Sequence, residues 1–151
     1  MYVPAHFQEP RPEVLHAFIR RHPLATLVVR TADGLEANHV PVELVTAEGE
    51  TPRLRGHVAR GNPVWKRALP DEPMLAIFTG AQGYVSPSWY PSKHEHGRVV
   101  PTWNYAAVHA HGRIRFVEDA AWLRALVGRL TDAHEARRAS PWKVEDAPAD
   151  Y

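Results

Sequence analysis

Residues 24–45 read LATLVVRTADGLEANHVPVELV, and this stretch decides the fold class. Residues 24–31 are rich in β-branched side chains, which suit a pleated, half-buried surface. Asp33-Gly34 follows, and Asp-Gly between two apolar runs signals a hairpin, because glycine accepts the positive φ that tight turns require. Residues 35–45 then read as a second strand. Pro41 lacks the N–H that a central ladder uses, which favours an edge or a bulge. The sheet therefore begins with an antiparallel hairpin.

Working outward, PEVLHAFIRR (12–21) reads as a helix that opens on Pro12, with Glu13 in its first turn. Val14, Leu15, Phe18 and Ile19 make its apolar stripe, and Pro23 ends it. RLRGHVA (53–59) reads as a third strand. Asn62-Pro63 is a plausible start for a short helix within 60–69. MLAIFTG (74–80) is an apolar strand, GYVSPSWY (83–90) a possible further one, and residues 103–118 a long strand or hairpin. Asp119 can cap a helix running to about Arg138, with Trp122, Leu123, Leu126, Val127 and Leu130 as its buried face. Many short, turn-linked strands and few helices point to an antiparallel barrel or sandwich. With no repeat and no linker, residues 1–151 read as a single domain.

Composition narrows the function. The chain of 151 residues has no cysteine, which excludes disulfide frameworks, cysteine zinc sites and thiol catalysis. Its formal charge of +1 is not that of a protein that coats nucleic acid. No apolar run approaches the roughly 20 residues of a membrane span, and no secretory signal is visible. The expectation is a soluble cytoplasmic protein.

Several stretches could carry chemistry. GHVARGNPVWK (56–66) joins a strand, a tight turn and a predicted helix start, where backbone N–H groups, Arg60 and Lys66 could meet a phosphate; on the residues alone a capped helix with a solvated arginine is the favoured reading, because the segment is neither a Walker loop nor a Rossmann fingerprint. Asn38 and His39 are adjacent polar residues mid-strand, suited either to a heteroaromatic ligand or to a solvent-facing edge. HEH (94–96) and HAH (109–111) have His-x-His spacing, but Lys93 and Arg98 flank the first pair and no further ligand falls at a suitable spacing. No serine sits in a nucleophile elbow. SPSWYPSKHEHGRVVPTWNY (86–105) holds four aromatic rings, a lysine and an arginine in one connection, the chemistry of a ligand wall, a subunit interface or both.

LATLVVRTADGLEANHVPVEL, LRGHVARGNPVW, YVSPSWYPSKHEHGRVVPTWNYAAVHAHGRIR and PWKVEDAPADY together resemble the PaiB-type, FMN-binding negative transcriptional regulators over nearly the whole chain. The resemblance implies a mainly β (α+β), antiparallel split β-barrel like that of the pyridoxamine-phosphate oxidases, with an N-terminal and a C-terminal helix on the outside. It also implies a homodimer with FMN in clefts between subunits. On this analogy Ala59, Arg60 and Asn62 hold the flavin phosphate, and Asn38, His39 and Val40 run along the ring and ribityl chain. Gln82, Tyr84 and Ser86, with Thr102, Trp103 and Asn104, reach the flavin from the partner. The family's chains continue past the position of Asp150-Tyr151, where a further helix and strand are expected. The expected function is regulation through bound flavin, acting on DNA directly or indirectly, with no catalytic residue and no metal assigned. An FMN-dependent oxidoreductase is the alternative, and a heme- or metal-handling protein is a third reading.

Overall fold

The computed structural model describes residues 1–148. The last three residues of PWKVEDAPADY, and with them the expected extension beyond Asp150-Tyr151, lie outside the described residues. The elements are α1 (Pro12–Arg21), β1 (Leu24–Thr31), β2 (Gly34–Val45), β3 (Arg53–Gly56), α2 (Val64–Arg67), β4 (Pro73–Val85), α3 (Ser92–His96), β5 (Thr102–Arg113) and α4 (Ala120–Glu135), with short 3-10 turns at Ala5–Phe7, Pro87–Trp89 and Val144–Asp146. The strands form one antiparallel sheet in the order β3-β2-β1-β4-β5.

The hairpin at Asp33-Gly34 sets the register. Thr31 stands opposite Gly34 and Leu24 opposite Pro41. Thr31 is buried; its hydroxyl donates to the Gly34 carbonyl and accepts from the Asp33 N–H. β2 then changes partners: residues 34–41 pair with β1, whereas Val42 to Val45 pair with β3. Pro41 sits at this handover rather than on an edge strand, at a point where the ladder breaks anyway. The corner is tight. A Cβ on Gly56 would lie 2.9 Å from Val40 Cγ1 and 3.0 Å from the Pro41 carbonyl oxygen.

Directly opposite residues share a face of a sheet. The register therefore puts Ala25 and Leu27, Val40 and Val42, Leu44 and Leu54, Met74 and Ala76, and Val108 and Ala110 on one interior side. Ile19 and Phe18 of α1 pack into this cluster with the fully buried Phe78. α4 is tied to β2 by a bidentate ion pair, Arg129 to Glu43 at 2.9–3.2 Å, and its Leu126 is fully buried. The sheet is not closed: no ladder joins β3 to β5. Both of these edges nonetheless line the same interior chamber of about 1020 Å³, so the sheet wraps around a common inside, as a split barrel does.

Several boundaries differ from the sequence reading. The third strand stops at Gly56 rather than Ala59. The helix expected within 60–69 is only four residues long. Residues 74–85 form one strand, not two, because a bulge between Thr79 and Gln82 carries the ladder across. SPSWY is a 3-10 turn rather than a strand, and β5 ends at Arg113. Asp119 does cap α4, its Oδ1 accepting the Trp122 N–H at 2.8 Å, but α4 ends at Glu135 and leaves Leu123 exposed.

Candidate functional site

The first group of candidate residues lies where β2 meets the turn before α2. Asn38 is half-buried on the interior side. Its Oδ1 accepts from Asn62 Nδ2 at 2.7 Å, and its Nδ2 donates to Glu36 Oε1 at 3.2 Å. Asn62 Oδ1 in turn accepts the Val64 N–H at 2.9 Å. The two asparagines thus pin the start of α2 onto β2. Glu36 Oε2 is buried without a hydrogen bond; it lies 3.2 Å from Arg67 Nη1, a contact of charge rather than of hydrogen-bond geometry. His39 points to the opposite, exposed face, as strand alternation requires. The Val40 side chain belongs to the core at 6% exposure.

The turn itself is closed by the Asn62 N–H donating to the Ala59 carbonyl at 2.9 Å. Arg60 stacks over the Trp65 ring, 4.4 Å from its centroid, and Trp65 Nε1 donates to the Arg60 carbonyl at 3.2 Å. Lys66 Nζ lies 4.7 Å from the same ring centroid. Arg60 Nη1 also donates to Glu118 Oε2 at 2.8 Å. Because α2 is a single turn, the anion-binding capacity here rests on the Arg60 and Lys66 side chains rather than on a helix terminus. Arg60 is 74% exposed and Glu118 57%, so the pair is open to exchange with another anion; exposed pairs are worth only about 0–1 kcal/mol.

The second group lies on the far end of the β4–β5 ribbon. Gly80 and Ala81 together oppose the single residue Ala106, because Thr79 pairs with Ala107 and Gln82 with Tyr105. One extra residue inverts the alternation of β4. Gln82 and Tyr84 therefore join Trp103 and Tyr105 on the outer face, with Tyr84 directly opposite Trp103. The Tyr84 and Trp103 rings are 6.4 Å apart, and Trp103 Nε1 donates to Gln82 Oε1 at 3.0 Å. All three rings of this face are more than half exposed. Thr102 and Asn104 stand opposite Val85 and Gly83 on the other face. Ser86 caps the 3-10 turn, its Oγ accepting the Ser88 N–H.

One chain does not bring the two groups together. The row through Asn38 crosses Leu27, Ala76 and Ala110. Gln82 to Val85 lie six to nine residues further along β4, about 20–30 Å at the rise of a strand. The histidine pairs behave differently. His94 and His96 are on α3, where positions two apart do not share a face. His109 and His111 share the outer face of β5. Burial pushes the His109 pKa down, helped by the N-terminal amine and by His111. Among the described residues, no group of three or more His, Cys, Asp or Glu side chains is placed to hold a metal. Trp65, Glu36 and Glu118 escaped the sequence reading, since nothing in their spacing marks the partners they find through the fold.

A family model described as "Putative FMN-binding domain" matches residues 1–151. The chain belongs to this FMN-binding domain family. Among the relatives of this family member is the protease synthase and sporulation protein PAI 2 of Bacillus subtilis, 30% identical over 93% of this chain and 65% of that protein. An uncharacterized protein of Saccharomyces cerevisiae is 29% identical over 91% of this chain and 92% of its own, and one of Emericella nidulans is 33% identical over 100% and 74%. The resemblance read from the sequence and the family match agree. No helix among the described residues is long and apolar enough to cross a membrane.

Proposed function

We propose that this chain is an FMN-binding regulatory protein of the PaiB type. It acts as a homodimer whose two flavin clefts each combine the Asn38–Asn62–Arg60 region of one subunit with the aromatic ribbon of the other. The observation that carries the reading is the division of the site. Residues suited to a phosphate and a polar heterocycle lie in one region, and an exposed Tyr84–Trp103–Tyr105 face lies about 20 Å or more away. A second subunit can supply what one chain cannot.

The donor set fits FMN. Arg60 and Lys66 offer fixed and mobile positive charge for a phosphate. Asn38 and Asn62 present amides on a shared hydrogen bond, whereas His39 stands on the opposite face of β2 and is left out of this donor set. Tyr84 and Trp103 offer flat apolar surface with polar handles. Bound FMN would supply one- and two-electron redox chemistry; this chain's residues bind it, orient it and screen it from water. Regulation through the flavin is favoured by the name of the Bacillus relative. A net charge of +1 favours indirect action on transcription over a broad basic grip on DNA.

The test is a titration of flavin-free protein with FMN, followed by flavin fluorescence, on wild type, Arg60→Ala, Trp103→Ala and an equimolar mixture of the two variants. Saturable quenching should weaken in each variant. The mixture should recover one intact cleft in the heterodimer that combines Arg60 of one subunit with Trp103 of the other. No saturable quenching in wild type rejects the cofactor. Equal weakness in the mixture rejects the shared cleft. Anaerobic bleaching of the bound flavin by NADH or NADPH would favour an oxidoreductase instead.

A further inference from the structure

We propose that Glu36 is a positioning residue: held by Arg67, it fixes which way the amides of Asn38 and Asn62 point, and so makes this part of the site a hydrogen-bond donor. The inference rests on the proposed flavin site for its ligand. The orientation of the amides is a property of the chain alone.

The side chains close a circuit on one short helix. Glu36 and Asn38 stand two apart on β2 and so share its interior face. α2 (Val64–Arg67) meets them at both of its ends. At its start the Val64 N–H donates to Asn62 Oδ1 at 2.9 Å, and Asn62 Nδ2 donates to Asn38 Oδ1 at 2.7 Å. Asn38 Nδ2 then donates to Glu36 Oε1 at 3.2 Å. At the end of α2, Arg67 Nη1 faces the buried Glu36 Oε2 at 3.2 Å, while Arg67 Nη2 donates to Asp33 Oδ2 at 2.8 Å.

The order of donors and acceptors in this circuit is not free. A backbone N–H only donates, so Asn62 must turn Oδ1 to Val64 and Nδ2 to Asn38. Asn38 must then accept with Oδ1, which turns its Nδ2 toward position 36. Both oxygens of Glu36 therefore face donors, an amide on one side and a guanidinium on the other. Only a carboxylate meets that demand on both sides. A glutamine has one oxygen. Given to Arg67, it leaves the glutamine nitrogen against Asn38 Nδ2. A buried donor that faces a donor has lost both its bond and its water. Asn38 escapes by turning over, and its bond to Asn62 breaks.

The ligand meets what is left. Each asparagine amide has two N–H groups and spends one inside the circuit, so each keeps one to offer. The pair suits a carbonyl or hydroxyl oxygen and not a further N–H. Asn62 also closes the turn that carries Arg60, its backbone N–H donating to the Ala59 carbonyl at 2.9 Å. Glu36 thus acts through Asn38 and Asn62 rather than on the ligand.

The experiment compares wild type, Glu36→Gln, Arg67→Met and Glu36→Gln/Arg67→Met. One readout is the side-chain amide NMR signals of flavin-free protein, assigned by their loss in Asn38→Asp and Asn62→Asp. The other is the affinity for FMN and for riboflavin. In wild type each asparagine should show one slowly and one rapidly exchanging hydrogen. In Glu36→Gln both should exchange rapidly, and both flavins should bind at least about tenfold more weakly. Charge alone predicts the opposite for FMN, since the change removes a negative charge from a phosphate site. Arg67→Met leaves the carboxylate facing Asn38 and should keep the slow hydrogens. In the double variant no cation claims the glutamine oxygen, which can turn to Asn38, so signals and affinity should return to the level of Arg67→Met. A purely structural role would make the double variant worse than either single one. Unchanged signals in Glu36→Gln, or a double variant no better than Glu36→Gln, would overturn the proposal. Altered signals with undiminished flavin binding would overturn it equally. If wild type binds no flavin, the flavin reading fails, and the signals of the flavin-free protein still decide the orientation. Should Arg67→Met unfold, those of Glu36→Gln decide it.

Discussion

Trp103 donates its indole N–H to Gln82 Oε1 at 3.0 Å, and the two side chains meet because β4 contains one residue more than β5 at the bulge. Phe78 is fully buried on the interior side. Strict alternation would send Gln82 and Tyr84 to that same side. The extra residue turns both outward and assembles one face from Gln82, Tyr84, Trp103 and Tyr105. The local irregularity is therefore what builds the aromatic half of the proposed cleft.

The double variant Gln82→Ala/Tyr84→Ala tests this directly. It removes the β4 half of the outer face and the Trp103–Gln82 hydrogen bond without changing the strand register. The expected outcome is a protein that still folds through its β1–β2 hairpin but binds FMN at least about tenfold more weakly, a loss of roughly 1.4 kcal/mol. Flavin fluorescence gives the affinity, and near-ultraviolet circular dichroism follows the aromatic pair. Unchanged affinity would detach the ribbon face from cofactor binding.

Gly80 makes a second demand at the same bulge. A Cβ there would sit 2.7 Å from Phe18 Cζ and 2.8 Å from Phe18 Cε2. Phe18 is packed against the core cluster, so its ring cannot retreat freely. Gly80→Ala should cost about 1–3 kcal/mol, the range for overpacking. Phe18→Leu in the same chain should return part of that loss. Urea denaturation of the two single variants and the double variant measures the coupling, and additive costs would show that the ring is not the obstacle.

Much of this frame is legible in the sequence because it depends on local signals. Pro12 and Pro23 bracket α1, Asp33-Gly34 sets the hairpin, and Asp119 caps α4. Each acts through φ, a missing donor or a hydrogen bond within a few residues. The bulge was half legible: Gly80 interrupts an apolar run, but one glycine does not say whether a strand ends or bulges. The candidate site is less legible, because its partners are remote. Asn38 reaches Asn62 across 24 positions and Arg60 reaches Glu118 across 58, and only the folded sheet brings them together. The strand order β3-β2-β1-β4-β5 was hidden for the same reason, since it is a property of the whole sheet.

Arg60 separates binding from stability. Its pair with Glu118 is largely exposed, so Arg60→Ala should change unfolding free energy by less than about 1 kcal/mol. If it clamps a phosphate, FMN affinity should fall by about tenfold or more, while riboflavin, which lacks the phosphate, should bind both proteins alike; charge-assisted bonds to an anion are worth about 1.5–3 kcal/mol. A parallel loss for both flavins would place Arg60 outside the phosphate contact.

His109 links the outer face of β5 to pH. Its pKa lies below the ordinary 6.5 because burial resists the charged form, and the N-terminal amine and His111 add repulsion. Above 6.5 the imidazole is neutral in both folded and unfolded chains and contributes no pH dependence. As pH falls below 6.5 the unfolded chain takes up a proton that the folded chain still refuses, so unfolding gains ground until pH passes the lowered folded value. Stability should thus decline with acidification across that window. Thermal unfolding at closely spaced pH values should show a shallower decline in His109→Gln than in wild type, with the two curves parallel above pH 7. His111→Gln should reduce the effect less, because His111 acts only through its charge on His109. Identical slopes in wild type and His109→Gln would assign the acid sensitivity to other groups.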